Sequence, residues 1–445
     1  MASSQPAAAA AAAGYHKDEE DEEATNKNRP DRRITLIDTP PTASDELVTE
    51  LKRHLPFSIP VLRRIQFANK FPGPPGSTEF AHVLWAFYEE EEDEQKHFAA
   101  AYVDLSRGPE TQCWIYCTLE DSFSDSYYYE TTTAPSISGV QDGWVLIPTE
   151  EEQQSQADEL VLTILRRMWE ISSSQQQQQE RPDDGGNSGA KQHTVLIGSL
   201  HETIRKRLLD LGVKMFKTKN VPAEIDWEFC NKWLFRVEDF PPAVIPTIPG
   251  GAGDSNKEIL SLPWTNNKNP NKNFTDSSSR TSETTVQLKL KFDKVKKSDI
   301  PLIRARTSID RKPETLLRLP SLVLRRLSFI PSPSPSNNNS REEEEEEKEE
   351  DAVAWAFTGL DGTLMTLHVE PAYRGLGLAK LIACKIMKDS LPLYGDDGWG
   401  AADVFVANTQ SQGVCKSIGG KAWWTLSWAV VDLDSVPGLP TYLGV

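Results

Sequence analysis

Short runs of alternating or helically spaced apolar residues stand between long polar stretches, and these runs predict the elements. An extended ITLID (34–38) precedes a helical pattern at 44–54, SDELVTELKRH, with Ser44 as N-cap and Glu46 and Leu47 in the first turn. Three aromatic-rich runs, FAHVLWAFY (80–88), FAAAYVDL (98–105) and QCWIYCTLE (112–120), predict consecutive strands. The acidic run from Glu89 to Glu94 reads as the solvated loop of a hairpin between the first two. Residues 157–171 predict a helix with Leu160, Leu162, Ile164, Leu165 and Met168 on one broad face. After a low-complexity loop at 172–192 come a strand TVLIGSL, a helix ETIRKRLLDLG stopped by glycine, and a strand NKWLFRV (231–237).

Residues 246–284, rich in Asn, Ser and Gly, read as a linker. Order resumes with the strand VQLKLKFDKV (286–295), a helix opened by Ser298 and Asp299, and further apolar material in LLRLPSLVLRRLSFI. The stretch 331–351, with its Pro-Ser repeat and glutamate run, reads as an insert looped out of a sheet. AVAWAFT (352–358) and TLMTLHV (363–369) flank GLDG, a hairpin signal. The second strand runs through Arg374-Gly375-Leu376-Gly377 into an amphipathic helical pattern. A strand ADVFVAN (402–408), a short helix TQSQGVCKSIGG and a closing strand KAWWTLSWAVVDL follow. The expected organisation is therefore an acidic, alanine-rich tail at 1–33, a folded block at 34–245, the linker, and a second block at 285–445.

A chain of 445 residues with 38 % hydrophobic residues and 12 tryptophans can build two cores, while 30 prolines fit long unpacked inserts. The net charge of −18 argues against a nucleic-acid partner, which calls for a basic face. The five cysteines are scattered, and Cys113 and Cys117 make a CxxxC rather than the CxxC of a zinc site, so no metal is expected. No signal-peptide pattern opens the chain and no apolar run is long enough to span a membrane. The expectation is a soluble intracellular protein of the cytoplasm, with the nucleus as the alternative.

The strand-to-helix hinge at 374–377 carries the chemistry. A helix entered straight from a strand leaves its first N–H groups without partners, and with the positive end of its dipole they suit a phosphate. Glycines at 375 and 377 clear side chains from that backbone, although a tight turn alone also calls for glycine. A Walker loop is excluded for want of GxxxxGK, and a dinucleotide GxGxxG by Lys380 where its third glycine belongs.

With its flanking hairpin, strands and helices, Arg374-Gly375-Leu376-Gly377-Leu378-Ala379 resembles the Q/R-x-x-G-x-G/A signature of the GCN5-related N-acetyltransferase (GNAT) superfamily. WAFTGLDGTLMTLHVEPAYRGLGLAK and NTQSQGV are most similar to the glycine N-acyltransferase-like and FR47-like branch, including fungal members. The resemblance spans 286–434, and 34–245 resembles the degenerate first half such proteins carry. It implies an α/β fold of two GNAT-like halves, each a mixed, mostly antiparallel sheet flanked by helices. The activity implied is transfer of an acyl group from acetyl-CoA or another acyl-CoA to a small-molecule or peptide amine.

Carried over by position, the resemblance implies pantetheine contacts from the backbone of Leu367, His368 and Val369. Arg374, Gly375, Leu376, Gly377, Leu378 and Ala379 would hold the pyrophosphate. Asn408 matches an asparagine that contacts the pantetheine arm, and equally reads as a helix N-cap. Acyl transfer needs a base for the amine, a stabilised carbonyl oxygen and an acid for the departing thiolate. Cys415 stands where many relatives place the tyrosine acid, and a small buried hydrophobe is its plainer role. Thr363 and Met365 occupy the positions of bases in some relatives, leaving His368 and Glu370 as the nearby titratable groups. Trp423, Trp424 and Trp428 read as core more readily than as an acceptor pocket.

Overall fold

Period-two alternation becomes strands buried on both faces. The structure, a computed structural model, describes residues 33–89, 97–122, 151–179, 193–219, 227, 229–242, 247–249, 258–264, 286–307, 309, 311–330 and 346–439. The first part runs β1 (Ile34–Thr39), α1 (Asp45–Arg53), α2 (Ile59–Lys70), β2 (Ala81–Tyr88), β3 (Phe98–Asp104) and β4 (Cys113–Cys117). It continues through α3 (Glu151–Gln179), β5 (Thr194–His201), α4 (Glu202–Asp210), β6 (Met215–Lys217) and β7 (Cys230–Arg236). The second part begins β8 (Thr247–Pro249), β9 (Glu258–Trp264), β10 (Val286–Asp293), α5 (Ile300–Ala305), α6 (Pro313–Arg318), β11 (Ser321–Ile330) and β12 (Glu346–Thr358). It ends β13 (Thr363–Val369), α7 (Leu378–Ser390), β14 (Trp399–Phe405), α8 (Thr409–Ser417) and β15 (Lys421–Asp432).

The molecule is an α/β protein built on a mixed, mostly antiparallel sheet flanked by helices. The described strands form one sheet in the order β1, β2, β3, β4, β5, β15, β7, β14, β13, β12, β11, β10, β9, β8, with β6 paired to β15. The two parts repeat one plan: antiparallel strands, a crossover helix, a parallel strand, then a short helix. In the first, β4 reaches its parallel neighbour β5 through α3; in the second, β13 reaches β14 through α7. The parts also exchange their last strands. β7 pairs with β14 of the second part, β15 pairs with β5 of the first, and the two exchanged strands pair with each other.

β3 shows how the pattern sorts the core. Its Ala99, Ala101 and Val103 join a cluster with Leu160, Leu165 and Met168 of α3. Phe98, Ala100 and Tyr102 join a second cluster with Leu62 and Ile65 of α2 on the other face. Each large apolar side chain so enclosed contributes about 1.5–3 kcal/mol. A third cluster packs Ile382 and Ile386 of α7 on Ala354, Leu364 and Val404. A fourth fills the seam, where Cys230, Leu234, Ala401, Trp424 and Leu426 meet Ile59. Trp424 thus belongs to the core, Trp423 packs edge-on against Trp399, and Trp428 lines the same seam half-buried.

Several boundaries differ from the sequence expectation. α2 is unannounced because Arg63 and Arg64 face inward, 1 % and 0 % exposed, and blur its apolar stripe. α3 runs on through the glutamines to Gln179, so the loop expected from 172 begins no earlier than 180; residues 180–192 lie outside those described. The linker expected at 246–284 contains β8 and β9, which extend the sheet from β10 and cover Leu288 and Leu290 with Leu260 and Leu262. The insert expected at 331–351 ends earlier, since β12 already starts at Glu346 and pairs with Ile330; residues 331–345 lie outside those described. The same holds for most of the tail at 1–33 and of the acidic loop at 89–94.

Candidate functional site

The parallel pair β13–β14 registers only at Thr363 with Ala401 and Leu364 with Ala402, so the rest of β13 has no strand partner on that side among the described residues. Against β12, Phe357 faces Met365 while Trp355 faces His368, which leaves one extra residue on β13. Thr366 absorbs it in the left-handed region, at φ 53°. The bulge puts His368 on the same face as Met365, three residues away, where strict alternation would place it opposite. That face is the one covered by α5 and α6.

His368 stacks on Trp355, with ring centroids 4.6 Å apart. Its Nε2 lies 3.3 Å from a Glu370 carboxylate oxygen, without the alignment of a hydrogen bond. Burial holds the imidazole below its ordinary pKa, against the pull of Glu370. Glu370 accepts from Arg306 Nε at 2.8 Å and Nη2 at 3.3 Å, and this pair holds its carboxyl below the usual range. A neutral imidazole and an engaged carboxylate therefore stand side by side at the open end of β13.

Past Glu370 the chain makes one short turn, Pro371–Tyr373, and enters α7. Arg374 Nε donates to the Val369 carbonyl at 3.0 Å, pinning the turn to the strand it leaves. Gly375 and Gly377 take φ 82° and 78°, the left-handed region that glycine alone enters at no cost, and a Cβ on either would meet nothing within 4 Å. The open space means that neighbours do not dictate these glycines. The first amide to close on this turn is that of Leu381, donating to the Gly377 carbonyl at 3.1 Å. The amides from Gly375 to Lys380 find no acceptor among the described residues. Leu378 is buried and anchors the helix, while Leu376 and Ala379 are half-buried beside it.

The remaining residues lie further off. Asn408 is the N-cap of α8, its side-chain oxygen accepting from the Ser411 amide at 3.0 Å. Cys415 is 4 % exposed among Leu378, Ile382 and Ile418, and burial pushes its thiol up to about 12. The backbone of Leu367 faces the open side of β13, and the Val369 carbonyl on that side is already taken by Arg374. The backbone of His368, expected to join them, turns the other way instead: it stands opposite Trp355, in step with the Glu370 amide that donates to the Val353 carbonyl of β12. Sequence reasoning missed Arg306, whose role depends on a fold that brings α5 to Glu370. Among the described residues no group of His, Cys, Asp or Glu stands placed to hold a metal ion, and no helix is long and apolar enough to cross a membrane. No disulfide joins the cysteines among the described residues.

Residues 32–227 match the family described as the acyl-CoA N-acyltransferase verG N-terminal domain. The match falls on the first part of the chain and stops before the glycine turn. No curated protein matches the sequence. Similar solved structures include a Drosophila protein, 13 % identical over 91 % of this chain and 100 % of that one, with a TM-score of 0.43. A tandem GNAT protein from the clavulanic acid biosynthesis pathway is 8 % identical over 90 % of this chain and 99 % of its own, with a TM-score of 0.36. A GCN5-related N-acetyltransferase from Kribbella flavida is 9 % identical over 55 % and 68 %, with a TM-score of 0.26. At such identities and TM-scores the likeness carries no argument about activity or substrate.

Proposed function

We propose that the chain is an acyl-CoA-dependent N-acyltransferase, using acetyl-CoA, and that its second part holds the donor at the Gly375–Ala379 turn. The observation that carries this is the run of unpartnered amides from Gly375 to Lys380 at the head of a helix of 13 residues, cleared by two left-handed glycines. Such amides, with the helix dipole behind them, match a pyrophosphate. The match of 32–227 to an acyl-CoA N-acyltransferase domain supports the same class.

In this reading acyl-CoA supplies the activated thioester, and the protein's own residues do the rest. The unpaired backbone of Leu367 lines the donor's arm and offers its N–H to the developing oxyanion. His368, neutral because it is half-buried against Trp355, takes the proton from the amine. Glu370, held by Arg306, keeps its carboxylate 3.3 Å from the imidazole Nε2. Holding amine and thioester together, for direct attack in a ternary complex, supplies much of the acceleration. The acceptor is a small-molecule or peptide amine reaching His368 from the face of α5 and α6.

The test is acetyl-CoA-dependent release of free thiol across a broad amine panel. Release with at least one amine, lost in His368→Gln, is the expected result. One observation favours a second reading, a non-catalytic acyl-CoA-binding protein. Cys415, where relatives carry an acid, is sealed in the core with a thiol near 12, too weak an acid to protonate a leaving sulfur readily. Acetyl-CoA binding without turnover on any amine would decide for it.

A further inference from the structure

Where the two parts meet, a buried cation has no hydrogen-bond acceptor. Arg64 of α2 is 0 % exposed, and its Nε, Nη1 and Nη2 find no partner among the described residues. Its guanidinium carbon lies 3.7 Å from the Tyr102 ring centroid and 5.3 Å from that of Trp114. Stacking on aromatic rings offsets part of the cost of removing the charge from water, but it leaves five N–H donors unmet. Burial correspondingly holds the group down at a pKa of about 10.

The surroundings are rich in further donors and their carboxylates are engaged. Nε of Arg107 and Nε of Arg311 are also buried and without partners. Asp361, which acts electrostatically on both Arg64 and Arg311, already accepts from Trp114 Nε1 at 3.2 Å and from the Thr363 amide at 3.2 Å. Glu110, the other carboxylate facing Arg311, accepts from Arg107 at 3.1 Å and from Thr315 at 2.7 Å. A water molecule is a poor filler for such a place, because it brings two protons to a site short of acceptors. An oxyanion brings several acceptor oxygens in the fork geometry that guanidinium groups match.

We propose that the seam holds a small oxyanion, a carboxylate or phosphate group, bound by Arg64, with Arg107 and Arg311 adding positive charge. Arg64 and Arg107 come from the first part of the chain and Arg311 from the second, so the site exists only when both are assembled. It does not depend on the glycine turn, which lies at the far end of β13.

The test is thermal unfolding of the full chain with inorganic phosphate, acetate or chloride titrated at matched ionic strength. An anion that binds only the folded state raises Tm in a saturable way. For wild type, phosphate or acetate is expected to add about 3 °C or more beyond chloride. Arg64→Met is expected to lose this response, Arg311→Gln to need about tenfold more anion, and Gly377→Asp to keep it. Stabilisation by alanine but not by alaninamide would identify the carboxylate of an amine as the ligand; a response to phosphate alone would identify a free oxyanion. The proposal is overturned if neither anion exceeds chloride in wild type, or if Arg64→Met responds as wild type does. Should Arg64→Met fail to fold, an unchanged anion requirement in Arg311→Gln overturns it equally.

Discussion

His368 sits between two opposing charges, and that arrangement makes its role measurable. Its folded pKa lies below the ordinary histidine value, so it is neutral at pH 7 and becomes protonated only in more acid solution. A base of this kind gives kcat/KM an acid limb below about 6.5. Glu370 raises the imidazole pKa and Arg306 lowers it. Glu370→Gln should therefore move the acid limb to lower pH, and Arg306→Ala should move it to higher pH. Shifts of the same sign in the two variants, read from pH profiles of thiol release, would remove His368 from the base role. At this scale the glycine turn was readable, because left-handed glycine and a helix start are local facts. The face of His368 was not, because the bulge at Thr366 resets the alternation and appears only when β13 pairs with β12.

At the scale of elements, the exchanged strand β7 carries a charge into the core. Lys232 is 0 % exposed, and its Nζ lies 2.6 Å from Asp403 on the neighbouring β14, directly opposite in register. Asp403 is buried too, and desolvation raises its pKa while Lys232 opposes the rise. Removing one partner strands the other, a loss of about 3–5 kcal/mol, whereas replacing both with apolar groups is often neutral. Lys232→Met is thus expected to lower the denaturation midpoint strongly, and Lys232→Met with Asp403→Leu to recover most of it. Equal midpoints for the single variant and wild type would mean that the pair is not buried in solution. NKWLFRV was readable as a strand, yet nothing in it announces a partner far along the chain. α2 escaped notice for a related reason: Arg63 faces inward because Asp397, in the other part, waits for it at 2.8 Å.

At the scale of the whole molecule, two similar parts were legible, but their exchange of β7 and β15 was not, since nonlocal pairing leaves no trace in local pattern. The exchange implies that neither part is complete alone. The fragment 285–445 lacks β5 and β7, leaving one edge of β14 and both edges of β15 bare. Expressed alone it is expected to give no cooperative melt, and to recover one when co-expressed with 33–245; a cooperative melt of the lone fragment would contradict this. The claim on which the function rests is that the Gly375–Ala379 turn binds the donor's pyrophosphate. Calorimetric titration of acetyl-CoA into wild type, Gly377→Asn and Gly377→Asp tests it most directly. Asparagine and aspartate tolerate the left-handed backbone similarly, and only aspartate adds a negative charge at the cradle. The expected result is binding by wild type and by the asparagine variant, with at least tenfold weaker binding by the aspartate variant. Equal affinities for asparagine and aspartate would contradict it.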